Sequence, residues 1–238
     1  MKRMLSWIRR INIYRLERVK FRPRQSYAQC GEDLILSHIF MWLKIDRVRY
    51  LDIGAHHPCW LSNTYLLYKQ GFRGVLVEPD PILHKVISKY RPRDLTLNVG
   101  VGVGGEKEAD FFVMTTKTLN TFSREEAMKY QGYGSQKIEE VIRIPLVSVN
   151  QIILEYFEAC PNFISLDVEG LDLQILQDFD FGRFRPEVFC IETLTYTENN
   201  TEHKVTEIIE FMECNGYFVY ADTYINTIFI DRNAWAKR

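Results

Sequence analysis

Asp52 stands near the end of the apolar run Arg49-Tyr-Leu-Asp-Ile-Gly-Ala-His56 and is followed by Gly54 and the small Ala55. Such a turn lets a ligand approach the backbone at the tip of a strand. An acidic residue there suits the cationic end of an amino acid better than a pyrophosphate, which it would repel and which prefers a G-x-G-x-x-G turn feeding a helix N-terminus. The next such run, Gly74-Val-Leu-Val-Glu-Pro-Asp80, ends in Glu78, twenty-six residues further on. A carboxylate offers the paired acceptors that the two hydroxyls of a ribose require. Asn98-Val-Gly100-Val then offers backbone and small side chains against which an adenine could lie. A structural Asp in a tight turn is the competing reading of Asp52.

A second group follows in Ile164-Ser-Leu-Asp-Val-Glu-Gly170 and Cys190-Ile-Glu-Thr193. Asp167 and Glu169 lie two residues apart, so an extended strand would turn both to one side. Neighbouring carboxylates repel, so either one keeps a proton and serves as a base, or both bind a divalent cation with Glu192 as a third oxygen ligand.

The elements that must position these residues alternate. Past Pro23, β-rich runs at 49–54, 74–79, 95–101, 163–167 and 187–192 alternate with helical patterns at 62–70, 82–90, 149–157, 171–178 and 203–215, and a further helix is expected over 27–43. This is the signature of βαβ units around a parallel sheet covered on both faces. Runs at 217–222 and 227–231 are too close for a helical crossover and must form an antiparallel hairpin. The expected fold is a doubly wound α/β domain over 26–238, mostly parallel, ending in that hairpin. An insertion at about 106–145 carries β-like runs at 109–114 and 141–145 around a polar segment, 117–137, expected to be a mobile lid-like loop.

Composition narrows the class further. With 46% hydrophobic and 26% charged residues the chain can bury a proper core. Its five cysteines, Cys30, Cys59, Cys160, Cys190 and Cys214, are odd in number and never spaced C-x-x-C. They indicate neither a disulfide framework nor a thiolate zinc site. No apolar run approaches the roughly 20 residues of a membrane span, and no signal-peptide pattern opens the chain, so the cytoplasm is the expected location. Residues 1–25 hold nine Lys/Arg against Glu17 alone, a net of +8, while the remainder, 21 basic against 30 acidic, is −9. This basic amphipathic arm could pack on the domain or a partner, or make peripheral contact with the inner face of a membrane. The acidic body disfavours nucleic acid as a partner.

Five motifs in order, Ser26-Tyr-Ala-Gln-Cys-Gly-Glu-Asp33, Tyr50-Leu-Asp-Ile-Gly-Ala55, Ser62-Asn-Thr64, Val77-Glu-Pro-Asp-Pro81 and Asp167-Val-Glu-Gly170, resemble those of the FkbM-type methyltransferase family, from about Ser26 to Ile230. The resemblance implies S-adenosylmethionine as methyl donor and O-methylation of a hydroxyl, commonly on a sugar. Carried over by position, Asp52, Gly54 and Ala55 would shape the pocket for the donor's amino acid end and Glu78 would hold its ribose. Asp167 and Glu169 would face the reaction centre, and Gln29, Glu32 and Asn63 match motif positions of less defined role. His57 departs from the pattern and is either a base near the sulfonium or a turn residue.

The chemistry to be explained is then an in-line displacement on a methyl carbon by a hydroxyl-bearing small molecule or glycan. Glu169 would act as base, or Asp167, Glu169 and Glu192 would hold Mg²⁺ or Mn²⁺ over two adjacent hydroxyls. Trp60, Tyr130, Tyr133 and Tyr196 are candidate faces for a sugar ring. Two other readings stand beside this one: a catalytically silent binding module that keeps the fold, and an NAD-dependent oxidoreductase, which the missing G-x-G-x-x-G argues against.

Overall fold

The computed structural model describes residues 24–197 and 201–238. The basic arm at 1–25 lies, except for its last two residues, outside the described residues.

Alternating apolar residues build one seven-stranded sheet. It contains β1 (Arg49–Ile53), β2 (Arg73–Val77), β3 (Leu95–Leu97), β7 (Phe163–Leu166), β8 (Val188–Glu192), β9 (Tyr217–Asp222) and β10 (Asn226–Asp231), in the order β3-β2-β1-β7-β8-β10-β9. Pairings among the first five are parallel, and β10 runs antiparallel to both β8 and β9. The expected hairpin is therefore present, and its second strand lies inside the sheet.

Both faces are buried, because successive residues of a strand point to opposite sides. Leu51, Ile53, Val75, Val77, Ile164 and Leu166 share one core, which also holds buried residues of α5 (Val149–Tyr156), α6 (Asp172–Asp178) and α7 (Thr206–Cys214). Tyr50, Leu76, Phe163 and Cys190 share the other with residues of α1 (Glu32–Trp42), α2 (Tyr65–Lys69) and α3 (Pro81–Tyr90). A last short helix, α8 (Arg232–Ala236), follows β10. Among the described residues no helix is long and apolar enough to cross a membrane.

The chain leaves β1 toward β2 and β3, and later returns to lay β7 on the other side of β1. That reversal opens a crevice at the carboxyl ends of β1 and β7, the place where open α/β sheets bind ligands.

Three local departures from the sequence reading bear on this crevice. The run at 95–101 splits, because the Asn98 side chain donates to the carbonyls of Glu78 and Pro79 at 2.9 and 2.8 Å. Its second half, β4 (Gly100–Val101), joins β6 (Ile138–Val147) and β5 (Glu108–Met114) in a separate three-stranded sheet. Within 117–137, where a loop is expected, lie a turn of 3-10 helix at Lys117–Leu119 and helix α4 (Arg124–Gly132). Ser123 caps α4 by accepting from the Glu126 N–H. Only Ala127 and Tyr130 of α4 are buried, too few apolar positions to register as a helical period. The first helix begins at Glu32 rather than Tyr27, because Asp33 turns back to accept from Ser26 Oγ at 2.6 Å and the Tyr27 N–H at 2.7 Å.

Strand register supplies a sharp test of the packing. Gly74 sits opposite Tyr50, and a Cβ placed on it would lie 2.1 Å from the Tyr50 ring. Gly74→Ala is expected to lower the unfolding free energy by about 1–3 kcal/mol with an unchanged denaturant slope, as overpacking does. Urea titration followed by circular dichroism would measure it, and an unchanged midpoint would contradict this packing.

Candidate active site

A cavity of about 310 Å³ opens at the carboxyl edge of the sheet. Asp52, Gly54, Ala55, Asn63, Glu78, Gly100, Gln29, Asp167, Glu169 and Glu192 all line it. The sheet order brings Asp52, Glu78, Asp167 and Glu192 to one edge, and loops beside it add Gln29, Asn63 and Glu169.

Glu78 follows the end of β2 and is 4% exposed. Its two oxygens accept the N–H groups of His56 and Asp80, each at 2.8 Å. The first of these holds His56 in a left-handed conformation, φ 49°. Burial pushes the Glu78 carboxyl up to about 8 despite those donors. Each carboxylate oxygen has two acceptor positions, so two remain for hydroxyl groups.

Asp52 is 5% exposed and accepts from the Thr64 hydroxyl. Burial raises its pKa, while the nearby Arg91 charge, Thr64 and Ser165 lower it. Asn63 donates from Nδ2 to Ser165 Oγ at 3.1 Å, and its own Oδ1 is buried without a partner. An anion and an unpaired acceptor at one end of the cavity, with Glu78 near the other strand tip, fit a ligand bearing an ammonium and a ribose.

The reading of Gly54 and Gly100 changes with the structure. A Cβ at Gly54, φ +84°, would come within 1.8 Å of the Asp167 carbonyl oxygen, so the chain just past β7 already requires glycine at this place in the cavity wall. Gly100 is covered by the Phe122 ring, 2.2 Å from where its Cβ would be, so the place read as an adenine shelf is partly filled by an insertion side chain.

Two of the anticipated catalytic and donor-binding residues sit outside the cavity. His57 does not reach it: its Nδ1 accepts the N–H groups of Cys59 and Trp60 at 3.2 and 2.9 Å, which makes it a turn residue where it stands. Glu32 is fully buried behind it, accepting from Thr223 Oγ1 at 2.6 Å, Asn226 Nδ2 at 3.1 Å and the Cys30 N–H at 2.8 Å. It thereby ties the segment that carries Gln29 to the start of β10.

On the other side of the crevice, one oxygen from each of Asp167, Glu169 and Glu192 lies within 4.8 Å of the other two. Strand alternation does not bring Asp167 and Glu169 together, because β7 ends at Leu166 and Glu169 takes a left-handed conformation, φ 52°. Such a non-glycine conformation costs on the order of 1–3 kcal/mol and persists only where surroundings enforce it. Here the insertion enforces it. Thr121 Oγ1 donates to the Glu169 carbonyl at 3.1 Å, and the Tyr130 hydroxyl donates to Glu169 Oε2 at 2.9 Å. Tyr130, 1% exposed, thus supports Glu169 rather than offering a face to a ligand, and its ring meets Tyr196 edge-on at 5.4 Å. Trp60, 58% exposed, and Tyr196 remain at the cavity wall, while Tyr133 packs near Tyr196.

Burial, reinforced by mutual repulsion, raises all of these acids. Asp167 is pushed up to about 6, Glu169 and Glu192 well above the usual range, and the adjacent Asp172 to about 7.

Sequence reasoning missed Ser165 and the stretch from Lys117 to Phe122, all of which line the cavity. Ser165 was detectable as a hydroxyl inside an apolar strand. The insertion stretch carried no chemical signal, since it contributes a wall by packing.

These geometries meet an independent result. Residues 52–219 match the profile of the Methyltransferase FkbM domain. The chain belongs to the FkbM methyltransferase family. It is accordingly an S-adenosylmethionine-dependent methyltransferase. Among curated proteins no relative matches the sequence. Solved structures similar to the methyltransferase include a TehB-like SAM-dependent methyltransferase from Corynebacterium glutamicum, at 10% identity, TM-score 0.44, 95% of this chain and 97% of that one. Another is an O-methyltransferase from Bacillus cereus in complex with SAH, at 12% identity, TM-score 0.44, 87% of this chain and 82% of that one.

The raised acids set a pH dependence. A carboxyl whose pKa is higher in the folded than in the unfolded chain stabilises the fold while protonated, and that contribution is lost as pH rises through the folded value. With Asp167, Asp172 and Glu78 at about 6, 7 and 8, stability is expected to fall from about pH 4, the unfolded carboxyl range, to about pH 8.5, by on the order of 1 kcal/mol per pH unit for each titrating group. Glu192→Gln should flatten that fall in scanning calorimetry. A melting temperature that rises across this range would rule the arrangement out.

Proposed function

We propose that the methyltransferase transfers the methyl group to a hydroxyl of a sugar-like acceptor, with Glu169 as general base. The observation that carries this reading is the trio Asp167, Glu169 and Glu192, gathered at the cavity wall opposite the Asp52 and Glu78 end. S-adenosylmethionine, when bound, supplies an electrophilic methyl carbon. An alcohol is a weak nucleophile and must lose its proton as the new bond forms. A carboxyl whose basicity is raised by burial holds an abstracted proton more readily than a free one, and Glu169 is both raised and held in place by Tyr130. Asp52 and Asn63 would receive the donor's amino acid end, and Glu78 its ribose hydroxyls. Trp60 and Tyr196 offer flat apolar surface to the C–H face of a sugar ring.

The same three oxygens favour a second version, in which Asp167, Glu169 and Glu192 hold Mg²⁺ or Mn²⁺. All are hard oxygen donors of the kind these ions take. Bound there, the ion would lower the pKa of an acceptor hydroxyl.

Calorimetric titration with S-adenosylhomocysteine and with NADH tests the cofactor. The first is expected to bind and the second not to, and Glu78→Ala should weaken the homocysteine product by about tenfold or more. Methyl transfer to a panel of glycosides with adjacent hydroxyls tests the chemistry. Glu169→Gln should lower the rate about 10²–10⁴-fold with S-adenosylhomocysteine affinity nearly unchanged. Loss of activity in a chelator, restored by Mg²⁺ or Mn²⁺, selects the metal version. Full activity in Glu169→Gln would defeat both versions, and binding without any product would favour a silent module.

A further inference from the structure

We infer that Arg91 is a positioning residue for the donor's amino acid end, acting on Asp52 through the Thr64 hydroxyl. The inference rests on the reading that the cavity takes S-adenosylmethionine with its ammonium at Asp52.

Arg91 caps the carboxyl end of α3 and is the largest fully buried side chain among the described residues, at 0% exposure. Only a demanding set of partners offsets the desolvation of a guanidinium. Its Nε donates to Asp94 Oδ2 at 2.8 Å, one terminal nitrogen to the Tyr50 hydroxyl at 3.1 Å, and the other to Thr64 Oγ1 at 3.0 Å and Ser62 Oγ at 3.4 Å. Asp94 also accepts from the Tyr50 hydroxyl at 2.8 Å and from the Gly74 N–H at 2.9 Å. The Arg91–Asp94 pair is thus neutral in sum, and each guanidinium nitrogen and each carboxylate oxygen has a partner. A structural pair could end there, yet one arm of the fork reaches on toward Asp52.

That arm sets hydrogen directions. Arg91 can only donate, so Thr64 Oγ1 accepts from it and spends its single hydrogen on Asp52. On the other side, Ser165 also donates to Asp52 and therefore accepts from Asn63 Nδ2. Asp52 is left as an acceptor only, orientated from two sides, with a positive charge behind one of them. Tyr50 and Asp52 share a face of β1, and Arg91 lies along that face from one to the other. The product is a carboxyl aimed by its donors, with a positive charge behind one of them that opposes the effect of burial and favours the anion an ammonium requires. The adenosine half of the donor gains nothing from it.

That asymmetry is the test. S-adenosylhomocysteine carries the ammonium, and 5′-methylthioadenosine lacks the amino acid portion. Both are titrated calorimetrically into the wild type, Thr64→Val, Thr64→Ser and Arg91→Met. Thr64→Val has nearly the same shape and cuts the relay at its middle, so the test survives if Arg91→Met fails to fold. The expected result is S-adenosylhomocysteine binding weakened about tenfold or more in Thr64→Val, methylthioadenosine binding unchanged, and both retained in Thr64→Ser, which keeps the hydroxyl. Equal losses for the two ligands in Thr64→Val, or no loss for either, would overturn the inference and leave the cofactor reading intact. Absence of S-adenosylhomocysteine binding in the wild type would overturn the cofactor reading, and the inference with it.

Discussion

Four adjacent parallel strands, β2, β1, β7 and β8, each bring a carboxyl group to the same buried edge of one sheet: Glu78, Asp52, Asp167 and Glu192. Taking a carboxylate out of water costs several kcal/mol unless partners replace the lost hydration. How the fold meets that cost differs along the edge, and the difference divides the cavity into two halves. Glu78 is met by two backbone N–H groups. Asp52 is met by two hydroxyls and, behind one of them, a buried guanidinium. Asp167 and Glu192 are met chiefly by each other, with Glu169 added to their repulsion. In the first half hydrogen-bond donors meet each carboxyl and oppose, without cancelling, the rise that burial causes. In the second half the acids face one another, and burial together with their repulsion raises them.

The insertion is the second constraint. It is not a cover laid over a finished site. Thr121 and Tyr130 hold Glu169 in a conformation that its own segment would not adopt, and Phe122 closes the wall over Gly100. The small sheet β4-β6-β5 anchors those residues. Glu169 thus depends on elements some forty residues earlier in the chain, while Asp167 depends on the main sheet.

Much of the fold was legible because alternation of two kinds of apolar period survives in one dimension. The main strands, the terminal hairpin and the helices between them appear close to where Leu51, Ile53, Val75 and their counterparts predict. The strand at 95–101 was misjudged because a side-chain amide, that of Asn98, takes over the hydrogen bonds and lets the chain change sheets. Helix α4 was missed because it buries only two residues. In the cavity, acids at strand tips announced themselves by type and place. His57 and Glu32 did not separate from the true lining residues, since a turn histidine and an anchoring glutamate look the same in sequence as functional ones.

By itself the sequence determined the doubly wound order of elements, the family motifs and the acidic residues that the sheet edge collects. These follow from local patterns, in which each residue's type and its distance along the chain carry the information. Only the tertiary structure decided which acids crowd together, that Gly54 makes room for the neighbouring chain, that Glu169 is bent into place by the insertion, and that Arg91 stands behind Asp52. Those are properties of desolvation and of hydrogen-bond direction, and both depend on what lies across space from a residue.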